Sequence, residues 1–191
     1  MSSASPLRTV VLVSGSGSNL QAIIDHAPSG GLGIQLTGVI SDRPNVLALE
    51  RARPAQAQWR QKTLTERSAI LNRFIDAFIA RKEVIAEEIT WQMGRPIGQS
   101  PGEVRGFEER ARFMVSIAPE TLADIDAGPK PGFRRFIRRE ALGTVLVLAP
   151  WNYPYLTSVN AVAPGLMAGN AVILKHSNQT PLCAERFAEC L

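Results

Sequence analysis

Two short stretches of this 191-residue chain carry groups suited to chemistry. In the second half, Asn152 follows the apolar run 143–148 within the segment PWNYP, and Lys175 closes a second apolar run at 171–175. Both runs read as strands and the stretch between them as a helix. That order makes the strands parallel and puts Asn152 and Lys175 at one carboxyl edge, where ligands of open α/β sheets bind. A side-chain amide there can donate to a developing oxyanion, and a lysine leaving a strand can donate to ribose hydroxyls. The same two residues also read as a turn amide and a surface lysine.

In the first half, the run 9–14 ends in Gly15, Ser16, Gly17, Ser18 and Asn19, followed by an apolar periodicity over 19–26. A glycine-rich turn between a buried strand and a helix presents N–H groups and the positive end of the helix dipole, which suits a phosphate. The serines and Asn19 add side-chain donors. A dinucleotide fingerprint would need glycine at position 20, where the chain has Leu20, and such a turn also occurs as a plain tight loop.

Other reactive residue types are placed less favourably. His26 ends the first helix beside Pro28 and reads as an exposed helix-end histidine. Cys183 and Cys190 lie seven apart in one helical pattern, which matches neither a metal spacing nor C-x-x-C, so they read as packing residues in a reducing compartment. No lysine or histidine is placed to lower either thiol pKa, and no metal site is expected.

The elements that must position these groups follow from periodicity and punctuation. A strand at 9–14, a helix at 19–26, a break at 28–31, a strand at 34–40 and a short helix ending near Arg53 and Pro54 form a β-α-β beginning. From 59 to 114 only helices are expected. Thr63 and Glu66 form a capping box ahead of the stripe Ile70, Leu71, Phe74, Ile75, Phe78, Ile79, and Gly94 with Pro96 stops the helical region after Met93. Ser100 and Glu103 form a second box, with Pro101 at the first helical position, opening a helix that turns Val104, Phe107, Ala111 and Met114 inward. A loop at 127–132 ends it. Strands at 134–139 and 143–148, a helix to about 168, a strand at 171–175 and a helix from Pro181 complete the order.

Composition narrows the class. With 45% apolar residues the chain can bury a core, and it has no run of the roughly 18 to 20 apolar residues that a membrane helix needs. A cytoplasmic protein without membrane attachment is expected. The net charge of +4 is a small surplus spread along the chain, so no nucleic-acid partner is expected. Its densest part, Arg134, Arg135, Arg138 and Arg139, puts arginines on both faces of a strand, as an exposed or interface ribbon would.

Over residues 7–54, the segments TVVLVSGSGSNLQAIIDH, GVISDRP and LALERA resemble the start of phosphoribosylglycinamide formyltransferase. The resemblance implies that Gly15, Ser16, Gly17, Ser18 and Asn19 grip a substrate phosphate. That family's Asn, His and Asp constellation and its folate segments have no counterpart after Pro54, so formyl transfer is not expected.

From residue 55 to 191 the segments QWR, TERS, MGRP, FIRREALG, PWNYP and K-x-x-x-Q-T-P resemble the aldehyde dehydrogenase superfamily. The resemblance implies NAD or NADP as cofactor and an aldehyde as substrate, oxidised to a carboxylic acid. It makes Asn152 the oxyanion-hole amide, sets Pro150 and Trp151 along the cofactor crevice, and puts Lys175 on the adenosine-ribose hydroxyls. Asn178 stands where many NAD-preferring members carry Glu, whose carboxylate would repel a 2′-phosphate, so discrimination against NADP is weakened. The strand holding Arg134 and Arg139 would join an oligomerisation ribbon and make a homo-oligomer.

The family's nucleophilic cysteine, general-base glutamate and glycine-rich nicotinamide segment have no counterpart in these residues, so the chain is expected to be inactive by itself. The expected fold class is α/β. It comprises an incomplete aldehyde-dehydrogenase-like Rossmann-type parallel sheet (55–191) with an amino-terminal helical segment, preceded by a β-α-β fragment of a formyltransferase-like Rossmann fold (1–54). Exposed sheet edges and unburied apolar faces follow from such a chimera. The competing readings are a formyltransferase fragment and a noncatalytic oligomerisation module.

Overall fold

The computed structural model describes residues 7–13, 34–41 and 47–191, with side chains from residue 54 onward. The glycine turn at 15–19, the helix expected over 19–26 and His26 lie outside the described residues. Strands β1 (Leu7–Val13) and β2 (Ile34–Ser41) pair in parallel, as a β-α-β order requires, with a register shift between Thr9 and Val10.

Helix α1 (Leu47–Gln61) does not end at Pro54 as its proline suggested, but continues through it. Proline removes one rung of the helical ladder and crowds the turn before it. Two tertiary anchors beyond it hold the helix in place. Gln56 Nε2 donates to the Gly169 carbonyl at 3.3 Å and Trp59 Nε1 to the Leu166 carbonyl at 2.9 Å.

Helix α2 (Leu64–Ile79) starts at the expected capping box: the Glu66 N–H donates to Thr63 Oγ1 and the Thr63 N–H donates to the Glu66 carboxylate. The helical stretch then divides, because α3 (Lys82–Met93) is a separate helix. No glycine or proline marks the break. Ala80 and Arg81 close α2 with bonds to Asp76 and Phe78, and the Arg81 guanidinium pairs with Glu189. Gly94 ends α3 in the left-handed region at φ 74°, which glycine adopts without a Cβ penalty.

Helix α4 (Ser100–Thr121) has Pro101 in its first turn, as expected, but the second capping box does not form. Ser100 Oγ instead meets Thr90 Oγ1 at 2.8 Å, and the Glu103 carboxylate turns to another helix. α4 also stops before the glycine and proline loop. A two-residue antiparallel ribbon, β3 (Ile125–Asp126) with β4 (Phe136–Ile137), replaces the six-residue strand expected over 134–139. Arginine side chains bond to loop carbonyls here, Arg135 to Ala127 and Gly128 and Arg139 to Ala123, and this fixes the segment without a long ladder.

Strand β5 (Thr144–Leu148), helix α5 (Pro154–Met167), strand β6 (Ala171–Lys175) and helix α6 (Leu182–Cys190) match the expected order, and β5 and β6 pair in parallel from Thr144–Ala171 to Leu148–Lys175. The tight turn before β6 needs Gly169, at φ 89°, since a Cβ there would come within 3.1 Å of the Arg67 guanidinium. Arg67 Nη1 in turn donates to the Met167 carbonyl at 2.8 Å.

The core lies where α2, α4, α5 and α6 converge. Phe74, Phe78, Phe107, Tyr155 and Phe187 form one aromatic cluster, with Phe78 4.1 Å from Phe107 and 4.9 Å from Tyr155 between centroids. One face of β5 packs Val147 inward while Leu146 and Leu148 on the other face are 57% and 68% exposed. Among the described residues, no helix is long and apolar enough to cross a membrane.

Candidate functional site at the strand ends

The parallel pairing of β5 and β6 brings the candidate residues together. The Ala149 N–H donates to the Lys175 carbonyl at 2.9 Å, so the turn after β5 starts beside the last residue of β6. Pro150, half-buried, and Trp151 and Asn152, both exposed, lie on that turn; Asn178 is exposed in the turn after β6. Asn170 sets the other end of the pair, accepting from the Gly143 N–H at 3.0 Å and donating to the Gly165 carbonyl at 3.1 Å.

The Asn152 side-chain amide has no hydrogen-bond partner among the described residues. Among the described residues, Lys175 Nζ donates to the His176 carbonyl at 3.3 Å. The Lys175 ammonium and the Trp151 indole, 46% exposed, lie at the same strand edge.

Arg95, given no role of its own in the sequence, and Glu103, expected to cap its own helix, hold this turn. The Arg95 fork donates through Nη1 to Glu103 at 2.8 Å and through Nη2 to the Asn152 carbonyl at 2.8 Å, and its guanidinium lies 4.6 Å over the Tyr153 ring. The other Glu103 oxygen accepts from the N–H groups of Tyr155 and Leu156, at 3.0 Å each, in the first turn of α5. Glu103 thus caps a helix 52 residues away rather than its own. The glutamate was visible in the sequence, but its partner was not.

His176 was also unmarked in the sequence. It is 6% exposed, lies 5.9 Å from Phe187 and has no hydrogen-bond partner at either ring nitrogen among the described residues. Burial, with a smaller effect from the Lys175 charge, pushes its pKa down to about 4. The folded state therefore holds the ring neutral while the unfolded chain takes a proton near pH 6.5. Stability is full above about pH 6.5 and falls as pH drops toward 4, by up to about 3 kcal/mol. Denaturant midpoints measured across that window should decline in the parent chain and flatten in His176→Leu; equal slopes would remove His176 as the cause.

Cys183 and Cys190 are both buried, as the packing reading expected. Burial pushes the Cys183 thiol up to about 12 and raises that of Cys190, so neither offers a thiolate at neutral pH.

A parallel strand pair packed on a helical layer, with Asn152 and Lys175 at its carboxyl edge, defines an α/β protein. Residues 41–191 match the aldehyde dehydrogenase family, and the chain belongs to that family.

The succinate semialdehyde dehydrogenase of Acinetobacter baylyi is 31% identical over 142 residues, covering 74% of this chain and 29% of that protein. Succinic semialdehyde dehydrogenase from Streptococcus pyogenes, solved with NADP+, superposes with a TM-score of 0.68 at 29% identity, over 74% of this chain and 31% of its own. A NAD-dependent benzaldehyde dehydrogenase from Corynebacterium glutamicum gives 0.66 at 31% identity, over 74% and 32%. The chain therefore spans about a third or less of the proteins it resembles. Both cofactors occur among its neighbours.

Proposed function

We propose that these residues form the amino-terminal, dinucleotide-holding part of an NAD(P)-dependent aldehyde dehydrogenase and oxidise no aldehyde by themselves. The observation that carries this reading is the single strand edge shared by Pro150, Trp151, Asn152 and Lys175. NAD or NADP, when bound, supplies the hydride acceptor. Lys175 donates to the adenosine-ribose hydroxyls, Trp151 and Pro150 line the crevice, and the Asn152 amide donates to the carbonyl oxygen of an aldehyde as negative charge develops on it. The inactive reading is supported by the lack of a counterpart in these residues to the family's nucleophilic cysteine and general-base glutamate, since Cys183 and Cys190 are both buried.

Titration of NADH and NADPH into the chain, followed by nucleotide fluorescence, tests the reading. Lys175→Ala should weaken both by about tenfold, and Asn178→Glu should weaken NADPH relative to NADH by about the same factor through charge repulsion. No binding to the parent chain, or aldehyde-dependent reduction of NAD by it, would overturn the corresponding half of the proposal.

The division at residues 54 and 55, and a formyltransferase-like phosphate turn at Gly15, Ser16, Gly17, Ser18 and Asn19, rest on sequence resemblance alone. The family match reaches back to residue 41, across that division. Sequencing the coding DNA across codons 54–57 tests the junction; an uninterrupted family sequence upstream of it removes the chimera.

The exposed ribbon favours association as a second role. Phe133, Ile137 and Leu142 are 66%, 57% and 89% exposed beside Arg134 and Arg138, whose guanidinium groups stack on Phe136. Sedimentation should show a concentration-dependent oligomer that Ile137→Asp disperses; a monomer at all concentrations sinks this role.

A further inference from the structure

We propose that Arg95 and Glu103 act as a positioning pair for the turn that presents Asn152, a proposal that rests on the reading of Asn152 above. The Arg95 and Glu103 side chains are 11% and 0% exposed. A buried ion pair contributes little net stability compared with apolar side chains of the same volume, so its presence points to a geometric requirement. Here each charge grips backbone of matching polarity. The guanidinium pulls on the Asn152 carbonyl, and the carboxylate holds the N–H groups of Tyr155 and Leu156 at the positive end of the α5 dipole.

Residues 152–156 are therefore held at both ends by one pair. The Asn152 side chain makes no bond of its own among the described residues, so Arg95, through the Asn152 carbonyl, fixes where that side chain leaves the backbone and not the rotamer beyond it. Lysine cannot substitute, because one ammonium lacks the planar fork that reaches Glu103 and the Asn152 carbonyl together. The stacking of Arg95 on Tyr153 adds a further restraint between those contacts.

The two halves of the device separate in a site-resolved experiment on the full chain without cofactor. Nuclear magnetic resonance would follow the Asn152 carbonyl and side-chain amide signals, together with hydrogen exchange at Tyr155 and Leu156. Arg95→Lys keeps a cation beside Glu103, so it should move or broaden the Asn152 signals while exchange at Tyr155 and Leu156 changes little.

Glu103→Gln should raise exchange at those two amides by about tenfold beyond any global change, the size expected for losing a charge-assisted bond. Phe74→Leu, a core change elsewhere, should do neither. Uniform effects in all three variants, with the Asn152 signals unmoved in Arg95→Lys, would overturn the proposal and leave only a structural ion pair. The readout contains no nucleotide, so a failure of dinucleotide binding leaves this result intact.

Discussion

Phe78→Ala should lower the stability of the chain by about 3 to 5 kcal/mol, the range for emptying a buried phenylalanine site. Phe78 has no exposed surface and touches Phe74, Phe107, Tyr155 and Phe187, which belong to four different helices counting Phe74 on its own. Three of the ring partners reach it from outside α2, so no single neighbour can move to refill the space. Domains are stable by about 5 to 15 kcal/mol, so the loss is a large fraction of the whole. Urea unfolding followed by circular dichroism should show the midpoint drop by about 2 M at the usual slope. A loss below about 1 kcal/mol would mean that the cluster is not packed as described.

The second large effect is expected at Glu103→Ala. It strands the Arg95 cation at a site where 11% of its side chain meets solvent, and leaves the Tyr155 and Leu156 N–H groups without their acceptor. Breaking one side of a buried pair costs about 3 to 5 kcal/mol, whereas replacing both sides with apolar groups can be neutral. The double variant Arg95→Met with Glu103→Met should therefore recover the part of the loss that comes from the stranded charge, while the Tyr155 and Leu156 N–H groups stay without their acceptor. Denaturant midpoints for the single and double variants complete the cycle. If the double variant is as unstable as Glu103→Ala, the cost comes from lost helix capping and not from the stranded charge.

What could be read from the sequence was local. The Thr63 and Glu66 box, the Gly94 stop and the apolar stripe of α2 are set by neighbours within a few residues, and each matches the structure. The alternation of strand, helix and strand at 143–175 was equally legible and put Asn152 and Lys175 on one edge. What failed depended on distant partners. Pro54 looked like a helix end because Gln56 and Trp59 find their acceptors on α5 and the turn that follows it, and the break at Ala80 and Arg81 carries no glycine or proline because Glu189 of α6 helps to hold it. Glu103 fitted a capping pattern in its own helix, yet the free N–H groups of α5 claimed it. His176 followed a strand and offered no pattern at all; only packing against Phe187 reveals it.

The anchoring of α1 and α2 on the end of α5 bears on the order in which the chain can assemble. Gln56, Trp59 and Arg67 each reach carbonyls between Leu166 and Gly169, at sequence separations of 113, 107 and 100 residues. Closing loops of that length costs chain entropy before any contact forms, and such contacts slow folding. On the ribosome, the amino-terminal helices emerge with their polar anchors made long before the backbone they grip. Until that backbone arrives, the apolar faces of these helices stay open to water, and the nascent chain passes through a stage in which a chaperone has more to bind than the finished protein offers.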